Sequence, residues 1–297
     1  MAADAGCQFS HTDKIKVIMC NSGYNKKKIL ARIFVLTPLL LSLMSSMAIG
    51  QDRPFVLGET KQLHSKELAE NRVLNIYLPD GYDTAKTTKY PVIYLLDGSA
   101  DEDFIHVVGV VQFLTMIEAM PKTIVVGIAN IDRRRDFTFP TTIDSDKKAY
   151  PTTGGSAKFM SFLEKELVPY VEGKYRTNGM KTIIGQSLGG LLATEVLLKH
   201  PGLFSNYIIV SPSLWWDAES LLHKAPALLK TQKQMGSTVY VSVGTEGKQM
   251  EGDAQELVSL FKSHGDNVLF APLPNEDHLT ILHNSVYKAL MMLNSGK

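Results

Sequence analysis

The sequence predicts an α/β domain, a mostly parallel sheet with helices on both faces. Three observations carry that prediction. After residue 50, short apolar runs rich in β-branched residues alternate with longer amphipathic ones, the order that builds parallel strands joined by crossover helices. Several of the short runs are apolar at nearly every position, as central strands covered on both faces must be. No internal repeat, low-complexity tract or linker interrupts residues 51–297, so one domain accommodates them.

Each element has its own signal. Residues 73–78 read as a strand closed by the turn Pro79-Asp80-Gly81-Tyr82, and residues 92–96 as a central strand that stops at Asp97-Gly98. Residues 123–128 form another apolar run. Across 156–173, Phe159, Phe162, Leu163 and Leu167 recur at helical spacing, and Pro169 predicts a kink. Then follow strand 182–184, helix 188–200, strands 207–210 and 239–243, helix 254–264, strand 268–271 and a terminal helix over 279–293. In such sheets ligands bind beyond the carboxyl ends of the strands, so reactive side chains are expected just after a strand.

Composition excludes several classes. With 44% hydrophobic and 21% charged residues in 297, the chain is neither disordered nor fibrous. Residues 1–50 hold six Lys/Arg against two Asp/Glu, leaving 25 positive and 28 negative side chains in the rest. A near-neutral body without a basic stripe is not built for nucleic acid. Cys7 and Cys20 both lie in the first fifty residues, so the remainder has no thiol chemistry.

Those fifty residues read as an address. Lys26-Lys27-Lys28 and Arg32 precede an apolar run over 33–44, and small residues follow, ending in Ala48-Ile49-Gly50. That is the order of a secretory signal peptide. Only 18 residues separate Arg32 from Gln51, and Pro38, Ser42, Ser45 and Ser46 interrupt them, whereas a membrane span needs roughly 20 mostly apolar residues. The expectation is cleavage after Gly50, no stable membrane anchor, and a periplasmic or secreted catalytic domain over 51–297. Met19 offers an alternative start.

Gly185-Gln186-Ser187-Leu188-Gly189 follows an apolar strand and opens an apolar helix. A serine meant to attack must be lifted out of the sheet on a sharp, strained turn, and glycines two residues to either side remove the colliding side chains. The Leu188 N–H and the helix dipole then face a developing oxyanion. A serine hydroxyl needs a neighbouring base; in this arrangement an acid and then a histidine follow in chain order. Of the seven histidines after residue 50, His278 is best placed, in the polar loop after strand 268–271. The acid should follow strand 239–243. Glu246 is favoured because a short tether after a rigid strand orients the histidine best, with Glu251 and Asp253 left open. The loop after residues 92–96 should bring a second oxyanion donor, the Ser99 N–H, while Asp97 should hold the turn through backbone N–H groups. Trp215 and Trp216, after strand 207–210, suggest an aromatic wall for substrate. Arg135, within Asp132-Arg133-Arg134-Arg135-Asp136, could meet an anionic or catecholate-like group. No zinc spacing, phosphate loop or dinucleotide fingerprint is present in the sequence, and no metal or cofactor is expected.

The segments Tyr90–Gly98, Arg135-Asp136-Phe137-Thr138, Tyr175-Arg176-Thr177, Gly185–Gly190 and Ser211–Trp216 together resemble the "Putative esterase" (esterase D-like) family of α/β-hydrolases. The likeness is strongest to its enterochelin-esterase-like members, some of which cleave siderophore trilactones. The resemblance implies an α/β-hydrolase fold, Ser187 as nucleophile, His278 as base, and Ser99 and Leu188 as oxyanion donors. It implies a small-molecule ester as substrate and hydrolysis through an acyl-enzyme. Acetyl or feruloyl sugar esterases, acyltransferases and a non-catalytic ligand-binding module on the same fold are the alternatives.

Overall fold

Eight strands make one sheet in the order β1-β2-β4-β3-β5-β6-β7-β8. The computed structural model describes residues 52–232 and 236–295; the proposed signal segment, both cysteines and the cleavage position lie outside them. Two compact units divide the chain, 1–55 and 56–297, and the sheet belongs to the second. Its strands are β1 (Glu59–Ser65), β2 (Glu70–Tyr77), β3 (Tyr90–Leu95), β4 (Ile124–Ile128), β5 (Thr177–Gln186), β6 (Asn206–Val210), β7 (Thr238–Val243) and β8 (Asn267–Pro272). β2 pairs antiparallel with β1 and with β4, and every later pairing, from β4–β3 to β7–β8, is parallel.

The near-continuous apolar runs of the central strands serve two cores. Val92 and Tyr94 of β3, Ile183 of β5, Tyr207 and Ile209 of β6, and Val239 and Val241 of β7 face one core. Their immediate neighbours Ile93, Leu95, Ile184, Ile208 and Tyr240 face the other. Successive side chains of a strand point to opposite faces, so a strand buried on both sides must be apolar throughout. The second core is closed by α1 (Phe104–Met116) and α9 (Ile281–Asn294). The first is closed by the two helical segments α4 (Ser156–Phe162) and α5 (Val168–Lys174), α6 (Leu188–Lys199), α7 (Trp216–Lys230) and α8 (Lys248–His264). Two short helices, α2 (Arg133–Phe137) and α3 (Asp144–Ala149), lie between β4 and α4.

Several boundaries depart from the sequence reading for physical reasons. β1 was not expected: its sequence ETKQLHS is mostly polar, and antiparallel pairing to β2 makes it a strand at the sheet's edge. The kink expected at Pro169 within the helix read across 156–173 takes the form of a π-helical turn at Leu163–Leu167 between α4 and α5. Pro169 cannot donate an N–H and crowds the carbonyl four residues back, and the wider turn just ahead of it relieves the clash. α8 begins six residues earlier than expected, at Lys248, after Gly247 at φ +90°. α7 opens with Asp217, Ala218 and Glu219 in left-handed backbone, a turn that periodicity cannot reveal.

One buried charge cluster ties the antiparallel edge to the loop after β4. The fully buried Arg72 on β2 pairs with Asp136 at 2.7 Å and Glu70 at 2.8 Å, and its guanidinium lies 5.2 Å from the Phe159 ring centre. Removing one partner from such a pair strands a buried charge at a cost of about 3–5 kcal/mol. Asp136→Ala should therefore destabilise by about 3 kcal/mol, the low end because Glu70 stays on Arg72. Urea unfolding tests this, and a loss below about 1 kcal/mol would contradict it.

Candidate active site

Three adjacent strands end in left-handed backbone on non-glycine residues. Asp97 follows β3 at φ +53°, Ser187 follows β5 at φ +57°, and Ser211 follows β6 at φ +42°. Each such residue costs of order 1–3 kcal/mol and persists only where its surroundings over-determine it. At Ser187 the sequence supplies the means. A side chain at Gly185 would collide with the Gly189 carbonyl, so the first glycine of the motif is required by the turn. The Ser187 N–H donates to Val210 O at 3.0 Å, and the next residue, Leu188, opens α6. N–H groups in that first turn have no acceptor within the helix.

The loop after β8 carries His278 to the same place. Gln186 Nε2 donates to the His278 carbonyl at 2.5 Å, so the residue before the serine anchors the histidine's backbone. His278 Nδ1 lies 2.5 Å from Glu246 Oε2. The Glu246 side chain is 3% exposed and the His278 side chain 40%, so the carboxylate is buried while the imidazole keeps access to solvent. The other oxygen of Glu246 accepts the Ser211 hydroxyl and the Gly244 N–H, the latter at 2.9 Å. Burial pushes this carboxyl up, but the bonds from His278, Ser211 and Gly244 outweigh it and hold it below the ordinary glutamate value. Gly244 has no room for a side chain, because a Cβ would sit 2.5 Å from Glu276 O.

The two other candidate acids have different partners. Glu251 accepts the Glu246 and Gly247 N–H groups at 3.0 Å each, tying down the entry to α8. Asp253 is buried on α8, and burial, then repulsion from Glu219 and Glu256, pushes its carboxyl up to about 6. Of the three, Glu246 is the one bonded to His278.

Other expectations change. Asp97 grips side chains rather than the backbone N–H groups of its turn: Arg133 Nε and Nη2 donate to it at 2.6 and 2.9 Å, and Asn130 Nδ2 at 2.7 Å. Arg133 also donates to Gln186 O at 3.2 Å, so the arginine beside the serine turn is Arg133. Arg135 points elsewhere, to Asp136 at 2.8 Å and Glu70 at 2.7 Å; its charge completes the cluster around Arg72. Trp216 is 0% exposed and donates its indole N–H to Phe139 O at 2.9 Å. It packs beneath the loop and cannot touch a ligand. Trp215 is half-buried against Tyr150 and Trp216. The Ser99 N–H lies 3.4 Å from the Glu102 carboxylate, which Asn130 also holds at 3.0 Å. Sequence reasoning did not assign roles to Gln186, Ser211 and Ser213. Ser213 Oγ lies 3.2 Å from Ser187 Oγ, and its N–H donates to Ser187 O at 3.0 Å. The available signal was position, since both serines lie within three residues of the end of a central strand.

An open sheet of eight strands, parallel after its second pairing, with a strained serine between a strand and a helix and an acid–imidazole pair beyond later strands, is the architecture of an α/β-hydrolase. The profile of the family described as "Putative esterase" matches residues 65–278, and the chain belongs to that family, hydrolases of ester bonds. Ferri-bacillibactin esterase BesA of Bacillus subtilis is 28% identical over 275 residues, covering 81% of this chain and 91% of that protein. The siderophore triacetylfusarinine C esterase of Aspergillus fumigatus is 26% identical, with 80% and 94% covered. Among solved structures, an IroE-like serine hydrolase from Shewanella oneidensis superposes with a TM-score of 0.72 at 30% identity, covering 80% of this chain and 79% of that one.

The two shifted carboxyls predict opposite pH dependences. Glu246 is held below 4.5, so its ionised form contributes stability that is present above about pH 4.5 and is lost as pH falls through the lower folded value. Thermal unfolding of Glu246→Gln should trail the wild type at neutral pH and converge with it as pH falls through that lowered value; a gap independent of pH would contradict this. Asp253 moves from 3.8 to about 6, so stability is lost as pH rises between those values. Asp253→Asn should raise the melting temperature at pH 8 and leave it unchanged near pH 3.5; equal effects at both would refute the assignment.

Proposed function

We propose that the chain is a serine carboxylesterase that works through an acyl-enzyme on siderophore-type trilactones. The observation that carries this reading is the 2.5 Å bond between His278 Nδ1 and the buried Glu246 carboxylate, formed beside a serine in strained backbone. With Nδ1–H donated to Glu246, Nε2 is the free, basic nitrogen of His278. Ser187 Oγ attacks the ester carbonyl as its proton passes to Nε2. Glu246 offsets the imidazolium charge that results. The Leu188 N–H stabilises the oxyanion, joined by the Ser99 N–H once the oxyanion takes the place of the long Glu102 contact. His278 then returns the proton to the departing alkoxide. Water, giving its proton to the same nitrogen, attacks the acyl-enzyme, and collapse of that second intermediate releases the acid and returns the proton to Ser187.

The substrate class is supported by the relatives named as esterases of ferri-bacillibactin and triacetylfusarinine C. Export is part of the same reading: a signal peptide ending at Gly50 would send the enzyme to the periplasm or the medium, and N-terminal sequencing of the purified protein should begin at Gln51.

Ser187→Ala should lower kcat on a p-nitrophenyl ester by about 10⁴-fold or more, and His278→Ala comparably, with Glu246→Gln milder. Retained hydrolysis by Ser187→Ala would rule the mechanism out. A catecholate trilactone should give a higher kcat/KM than acetylated or feruloylated sugars assayed beside it, and the reverse order would favour the sugar-esterase alternative.

A further inference from the structure

We infer that the tripeptide Ser211–Pro212–Ser213, at the end of β6, is a positioning clamp that holds the acid and the nucleophile in one frame. The inference rests on the serine–histidine reading above. It gives a role to a segment whose sequence suggested only an aromatic wall.

The two serines grip opposite ends of the site. The Ser211 hydroxyl donates to Glu246 Oε1, leaving Oε2 for His278. The Ser213 hydroxyl meets Ser187 Oγ at 3.2 Å, and its N–H holds the Ser187 carbonyl at 3.0 Å. Both serines are almost wholly buried. Between them, Pro212 packs against Gly190 of α6, where a Cβ would lie 2.9 Å from Pro212 Cα and 3.0 Å from Val210 O. The nearest neighbours thus leave the tripeptide no room to slide along the serine turn. The sheet completes the frame, since the Ser211 N–H donates to Ser242 O on β7 at 2.8 Å.

A glutamate explains why such a clamp is needed. Its side chain has one more rotatable bond than an aspartate's, so two donors on Oε1, the Ser211 hydroxyl and the Gly244 N–H, restrict where Oε2 can meet the imidazole. Ser211 reaches that oxygen because its backbone sits at φ +42°, a conformation that favours glycine over serine. Strain kept at a residue with a buried hydroxyl indicates that the hydroxyl is needed there. On the other side, the contact between the Ser213 and Ser187 hydroxyls, together with the Ser213 N–H on the Ser187 carbonyl, holds the nucleophile's side chain in place.

Steady-state kinetics on a p-nitrophenyl ester, with Ser187→Ala as the inactive reference, tests the clamp. Ser211→Ala should lower kcat roughly tenfold, the loss expected for one hydrogen bond to a charged group, with KM within about twofold. Ser211→Gly relieves the backbone strain and should be equally impaired, because it too lacks the hydroxyl. On a Glu246→Gln background Ser211→Ala should change kcat by less than about twofold, since residues acting as a unit are not additive. Ser213→Ala should lower kcat several-fold on both backgrounds. Recovery of activity in Ser211→Gly, additivity of Ser211→Ala with Glu246→Gln, a loss confined to KM, or undiminished kcat in Ser213→Ala would each overturn the clamp. Hydrolysis that survives Ser187→Ala would instead overturn the nucleophile assignment, a separate result.

Discussion

A serine at φ +57° is sterically costly, and much of the site's architecture makes it tolerable. The flanking chain must lack a side chain at Gly185, the neighbouring strand must take the serine's N–H, and a helix must begin at once to carry the chain away. Those demands place the turn at the carboxyl end of β5, the one end of the sheet where strand carbonyls and helix N-termini converge. The same end holds two further left-handed residues, Asp97 and Ser211, on the strands flanking β5. Strain at this end is carried by a sheet buried on both faces.

Charge is distributed in the same economical way. Two carboxylates lie buried near the serine turn, and each has its own counterpart. Asp97 is held by Arg133 and Asn130, so it braces the β3 turn against the serine loop. Glu246 is held by His278 and by neutral donors. Only the second pairing has an imidazole, on a side chain that stays 40% exposed, as its counterpart. The arginine-rich loop divides along similar lines: Arg133 serves the turn, while Arg135 joins the buried cluster of Arg72, Glu70 and Asp136.

Much of this was legible before any coordinates. Central strands announce themselves by apolar runs, because a sheet covered on both faces tolerates no polar interruption, and α4, α6, α8 and α9 by helical spacing, whereas α1 after β3 and α7 after β6 were not read. The glycine–serine turn announced itself by steric necessity, and His278 and Glu246 by their places after strands. What was illegible has no signal in its own segment: β1 is a strand through its pairing with β2, and the left-handed turn at 217–219 has no periodicity to read.

The sequence by itself determined the alternation of strands and helices and the order of serine, acid and histidine, since both are local patterns imposed by burial and by backbone sterics. Only the tertiary structure decided which of three acids meets the imidazole, that Trp216 is packing while Trp215 is half-open, that Arg133 rather than Arg135 lies beside the serine turn, and that Ser211 and Ser213 bracket the pair. Such choices depend on directions in which side chains leave neighbouring strands. Residues far apart in the chain become partners there through pleat, register and loop length, none of which a single stretch of sequence encodes.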